Sequence, residues 1–92
     1  MIKARHFLLS GRVQGVGFRF FARNAAWREG VTGFVRNLPD GRVELQAEGE
    51  QESLDRFERS LYEGPSTGEV QTVVVNEILP TGNGDSFRIK PN

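Results

Sequence analysis

Nine residues, Gly11-Arg12-Val13-Gln14-Gly15-Val16-Gly17-Phe18-Arg19, separate an apolar run from a segment with helical spacing, and they restrict what the chain can fold into. Glycines at 15 and 17 allow φ > 0, so a strand can turn sharply into a helix while several backbone N–H groups gather about one point. A helix starting near Phe18 adds its unpaired N-terminal donors and the positive end of its dipole. Arg19, in the first helical turn, adds a permanently charged fork whose paired donors match phosphate oxygens. Two readings of the loop follow. It is either a tight strand-to-helix turn, or a phosphate cradle formed by Gln14, Gly15, Val16, Gly17, Phe18 and Arg19.

The strand entering the loop runs from Lys3 to Gly11 and is marked by Ala4, Phe7, Leu8 and Leu9. Beyond the loop, Phe18, Phe21, Ala22, Ala25, Ala26 and Glu29 recur at helical spacing, Arg28 falls in the last turn and Gly30 is placed as a cap, which predicts a helix over 18–29. Val31 to Leu38 and Arg42 to Glu48 flank Pro39-Asp40-Gly41 as a hairpin. In its second strand Val43, Leu45 and Ala47 alternate with Arg42, Glu44, Gln46 and Glu48, so one face is wet. Gly49 breaks this pattern, and Leu54, Phe57 and Leu61 predict a second helix over 51–62 that ends before Gly64-Pro65. A valine-rich strand from Glu69 to Ile78, the turn-prone Thr81-Gly82-Asn83-Gly84 and a short strand from Phe87 to Lys90 complete the chain. The order is β-α-β-β-α-β plus a short terminal strand. Two βα units with right-handed crossovers fold most economically as an antiparallel sheet with both helices on one face, a ferredoxin-like α+β sandwich. That fold alone says nothing of function.

The 92 residues suit one domain spanning 1–92. Net charge is zero and the Lys and Arg residues are scattered, so there is no electrostatic footprint for nucleic acid or an anionic membrane, and a small ligand is expected. The chain has no cysteine, which removes disulfides, thiolate metal sites and thiol nucleophiles. The apolar run after Met1-Ile2-Lys3-Ala4-Arg5-His6 is too short for a signal peptide or a membrane span, so a cytoplasmic monomer is expected.

Several phosphate chemistries fail against these residues. The loop lacks the Lys-Ser/Thr of a nucleotide P-loop, and Phe20 stands where a dinucleotide pattern starting at Gly15 needs its third glycine. Val13 stands where a cysteine phosphatase carries its nucleophile. The acidic residues nearest the loop in sequence are Glu29, at the far end of the helix, and Asp40, in the hairpin turn, so neither a metal nor a cofactor is expected. His6, the one histidine, and Ser10 read as packing or surface rather than as base or nucleophile, and Phe20 and Trp27 as packing on the second flank of the first helix. An anion cradle without acid, nucleophile or metal suits a substrate whose leaving group needs no proton. An acyl phosphate expels a carboxylate, whose conjugate acid has a pKa of about 4, whereas an alkyl ester must expel a basic alkoxide. Charge stabilisation by Arg19 and the loop, plus one polar group to align a water, could then suffice. Asn37 is the candidate for that group. On spacing alone it reads equally as the strand-end residue before Leu38-Pro39-Asp40-Gly41.

Leu9-Ser10-Gly11-Arg12-Val13-Gln14-Gly15-Val16-Gly17-Phe18-Arg19 resembles the first signature of the acylphosphatase family, and Gly33-Phe34-Val35-Arg36-Asn37, followed by Gly41, Val43 and Gly49, resembles the second. The likeness is close in the first half and rests on element order in the second. It implies the ferredoxin-like fold and metal-free hydrolysis of acyl phosphates to a carboxylate and inorganic phosphate, which should also compete as a ligand. It further implies phosphate binding by the loop and Arg19 and water positioning by Asn37. Two other functions remain to be weighed. One is a non-catalytic phosphate-binding or regulatory domain of a larger protein. The other is an RNA-binding module, because Gln14 to Phe21 loosely echoes an aromatic RNA-recognition motif. That motif belongs on the third strand, and Arg42 to Glu48 holds no aromatic residue.

Overall fold

A computed structural model describes residues 1–82 and 84–91; Asn83, in the turn expected at Thr81–Gly84, lies outside the described residues. The elements in chain order are β1 (Ile2–Arg12), α1 (Phe18–Glu29), β2 (Thr32–Asn37), β3 (Val43–Glu50), α2 (Gln51–Glu63), β4 (Glu69–Ile78) and β5 (Phe87–Ile89). They form one five-stranded sheet in the order β4-β1-β3-β2-β5.

The alternation along the strands sets what faces what. Phe7 on β1 is the register partner of Leu45 on β3, which in turn faces Val35 on β2, and all three are fully buried. The alternate row, with Glu44, Gln46 and Glu48 on β3, lies on the opposite, helix-free face. Both helices cover the apolar face. The α2 ring of Phe57 meets Phe7 and Phe87 edge-on, at centroid distances of 6.1 and 5.7 Å, and so joins that helix to the middle and the edge of the sheet. Truncating a ring so placed costs roughly 3–5 kcal/mol. Arg5 also points under α2. Its guanidinium is mostly buried and donates to Asp55 at 2.9 Å and to Glu58 at 3.1 Å, which is how a charge is tolerated there.

Two details differ from the sequence-based expectation. The four long strands are antiparallel, but β5 runs parallel to β2, so the sheet is mixed. The cause is where β4 stops: Ile78 pairs with Ala4, near the start of β1, and the short link from there enters β5 at the same end of the sheet. Glu48 holds that link through hydrogen bonds from the Thr81 and Gly82 N–H groups, both 2.8 Å. Second, Gly49 does not break the hairpin strand. It pairs with Lys3, and β3 continues to Glu50, because the long β1 offers partners that far and Val31 packs against the bare Cα. No described helix is long and apolar enough to cross a membrane.

Candidate active site

Phe18 anchors the site. Its side chain is buried against Phe21, with ring centroids 5.9 Å apart, so the first turn of α1 is pinned to the core while the next residue, Arg19, turns to the cavity beside it. Gly17 precedes the helix with φ 78° and Gly15 has φ 72°, both in the left-handed region. Nothing crowds a Cβ at either position, so it is the backbone angle and not space that demands glycine. The first intrahelical bond runs from the Phe21 N–H to the Gly17 carbonyl, at 3.0 Å. The N–H groups ahead of it have no acceptor within the helix. No side chain caps this end, and no acidic residue lies in its first turn.

These donors border a cavity of about 110 Å³ lined by Val13, Gly15, Gly17, Phe18, Arg19, Phe20 and Asn37. A space of this size admits a small anion with one or a few waters. No lining residue is acidic. Asn37, the last residue of β2, closes the cavity from the sheet side. Its Oδ1 is buried and accepts no hydrogen bond. A buried unpaired acceptor costs about 1–3 kcal/mol, so this oxygen is an unmet demand for a donor such as a water O–H.

The loop and Asn37 belong to different parts of the chain, and Gln14 joins them. Its Nε2 donates to the Leu38 carbonyl at 2.8 Å and to the Arg42 carbonyl at 2.9 Å. Both side-chain donors are thereby committed to the β2–β3 turn, so the Gln14 amide ties the loop to the hairpin. That turn is itself stiff. Asp40 accepts the Arg42 N–H at 3.0 Å and the Arg42 guanidinium at 2.8 Å, and the Arg42 N–H bond leads in holding its carboxyl below the ordinary range. On the other flank the Thr67 hydroxyl donates to the Val16 carbonyl at 2.8 Å, a contact with no signal in the sequence.

Of the expected site residues, Gly15, Gly17, Phe18, Arg19 and Asn37 line one cavity, Gln14 braces it and Val16 lies in the loop between. His6 and Ser10 occupy the outward row of β1, on the helix-free face. There the His6 Nε2 lies 2.8 Å from the Glu44 carboxylate, which also takes the Arg36 guanidinium. The His6 hydrogen bond is the main cause holding the Glu44 carboxyl below its usual value, with Arg36 adding to it against burial. Among the described residues no group of three or more His, Cys, Asp or Glu side chains is placed to hold a metal ion.

Residues 5–89 match the acylphosphatase family model. An acylphosphatase of Roseiflexus sp. (strain RS-1) is 49% identical over 84 residues, covering 91% of this chain and 90% of the relative. Among solved structures, the acylphosphatase from Bacillus subtilis superposes with a TM-score of 0.91 at 36% identity, covering 98% of this chain and 99% of its own. A full-length HypF in a phosphate- and nucleotide-bound form matches 98% of this chain with a TM-score of 0.87 at 30% identity, but over 12% of its own length.

Proposed function

The chain belongs to the acylphosphatase family, enzymes that hydrolyse acyl phosphates to a carboxylate and inorganic phosphate, and on that premise we propose how its own residues carry out the reaction. The phosphoryl group sits in the cavity against Arg19 and the backbone donors of the Gly15 to Arg19 loop, and a water held by the Asn37 Oδ1 attacks phosphorus in line. The bond between phosphorus and the carboxylate oxygen breaks as the bond to the water oxygen forms. The electron pair leaves on a carboxylate that is stable at neutral pH, so no side chain has to protonate it. Both protons of the water leave with the phosphate product, as dihydrogen phosphate, which exchanges one with solvent near neutral pH.

The loose transition state of phosphoryl transfer asks for positioning and charge stabilisation, which the helix end and a bidentate guanidinium supply. A cavity wall without carboxylates supports a reaction that runs without a metal. The acidic row of Glu44 and Glu48 on the helix-free face supports a small-molecule substrate over a nucleic acid.

The observation that carries this reading is the buried, unpartnered Oδ1 of Asn37, facing the same space as an uncapped helix N-terminus. Asn37→Ala is expected to lower kcat by about two to three orders of magnitude while inorganic phosphate still binds, because the amide orients water and does not hold the anion. Phosphate titration by calorimetry on the folded variant decides between the roles. Loss of phosphate affinity in step with loss of rate would reassign Asn37 to substrate binding.

A further inference from the structure

Phe20 lines the phosphate cavity, yet the residue is 55% exposed. The ring is not loose. The Arg23 guanidinium lies 5.2 Å from its centroid, and the same guanidinium lies 4.5 Å from the ring of Trp27, which is 58% exposed. Positions 20, 23 and 27 fall at helical spacings of three and four, so the three side chains form one ledge along α1 that starts at the cavity mouth. Arg23 is held by rings rather than by polar partners, since its Nε is buried and makes no hydrogen bond. Both rings attract the guanidinium through their π faces.

The geometry of displacement says what this ledge is for. Attacking and leaving oxygens lie on opposite sides of phosphorus, so a water at Asn37 sends the acyl group away from β2 and away from the hollow at Leu38 and Pro39. The first turn of α1 also lines the cavity, and its exposed apolar member is Phe20. We propose that the Phe20 ring, propped by Arg23, is the platform for the acyl group and favours flat apolar acyl groups, aromatic ones above all. This inference rests on the reading of Asn37 and Arg19 given above. It gives the enzyme a substrate preference that the phosphate cradle, which meets only the phosphoryl group, does not supply.

The test compares benzoyl phosphate with acetyl phosphate on the wild-type protein and on Phe20→Ala, Phe20→Tyr and Arg23→Gln. Because benzoate is also the better leaving group, the quantity to read is the change in the ratio of the two kcat/KM values. An aromatic contact of this kind sets the benzoyl-specific loss in Phe20→Ala at about three- to tenfold, expressed in KM, with acetyl phosphate changed less than about twofold. Phe20→Tyr keeps the π face and should keep the ratio, while Arg23→Gln should lose part of it. Inhibition by inorganic phosphate should stay unchanged in all three. If Phe20→Ala does not fold, Phe20→Leu removes the π face at similar bulk and gives the same comparison. Equal effects on both substrates, or none, overturn the platform while leaving the catalytic reading intact. A wild-type protein that splits neither substrate takes both down.

Discussion

Replacing Gln14 by leucine separates the cradle from the hairpin without touching a group placed at the reacting atoms. The variant loses the Nε2 bonds to the Leu38 and Arg42 carbonyls, but neither oxygen is orphaned. The Leu38 carbonyl still accepts the Gly41 N–H at 3.1 Å, and the Arg42 carbonyl still accepts the Leu38 N–H at 2.8 Å. The cost in stability is therefore that of two neutral hydrogen bonds, about 1 kcal/mol each, with no added penalty for unpaired acceptors. For a domain of this size about 2 kcal/mol lowers Tm by roughly 8–16 °C. On the proposed mechanism catalysis should suffer beyond this, because the amide ties the hairpin that carries Asn37 to the glycine loop. A misplacement on the order of 1 Å costs about 10²-fold in rate. A fall in kcat of about 10- to 10²-fold is expected, with inhibition by inorganic phosphate changed by less than about threefold, since Arg19 and the loop donors move as one. Gln14→Glu should be worse on every count. It points a carboxylate at two carbonyl oxygens and adds negative charge beside the anion. Steady-state kinetics on benzoyl phosphate well below the Tm of each variant, together with thermal unfolding, make the measurement. A Gln14→Leu protein with the lowered Tm but wild-type kcat would show that the hairpin holds Asn37 unaided and that the clamp is only structural.

Arg19→Lys is expected to lose kcat/KM by about 10²- to 10³-fold, close to the loss for Arg19→Ala, because a point-charge ammonium cannot replace a bidentate fork in a fixed loop; a Lys variant retaining most of the wild-type value refutes the bidentate role. Hydrolysis of acetyl phosphate should be undiminished in excess chelator, and an alkyl phosphate at matched concentration should be split at least about 10³-fold more slowly for want of a general acid. Comparable rates on the two substrates, or activity restored only by added Mg²⁺, would reveal an acid or a metal site. The Glu44 carboxyl is held below its usual 4.5 by His6 and Arg36, so the unfolded chain takes up a proton there first. Its stabilising contribution is present above pH 4.5 and is lost as pH falls through the lower folded value. The urea midpoint of Glu44→Gln should accordingly fall less steeply on acidification than that of the wild type, and parallel profiles would contradict the linkage.

What could be read in the sequence followed from residues whose meaning is local. Gly15 and Gly17 announce left-handed backbone, and Phe18, Ala22 and Leu45 announce buried faces, because a period of 3.6 or 2 already encodes which way a side chain points. Arg19 reads as a phosphate ligand for the same reason: its place in the first turn is fixed by the glycine before the helix. Asn37 was different. Its strand-end position is visible, but the same position serves an ordinary turn, and what separates the two roles is whether its Oδ1 finds a partner after folding. The direction of β5 was hidden too, since three residues carry no orientation of their own and take it from where β4 ends. Gln14 shows the limit most clearly. Its neighbours place it in the cradle, yet its amide is spent on carbonyls 24 and 28 residues away. Backbone carbonyls are common to every residue type, so no pattern of side chains marks the two that will be in reach. A loop motif can thus disclose the ligand it receives while leaving unwritten the strut that aligns it. On the proposed mechanism, alignment is what turns an anion site into a hydrolase, because the groups assigned to hold the phosphoryl and the one assigned to aim the water come from separate elements.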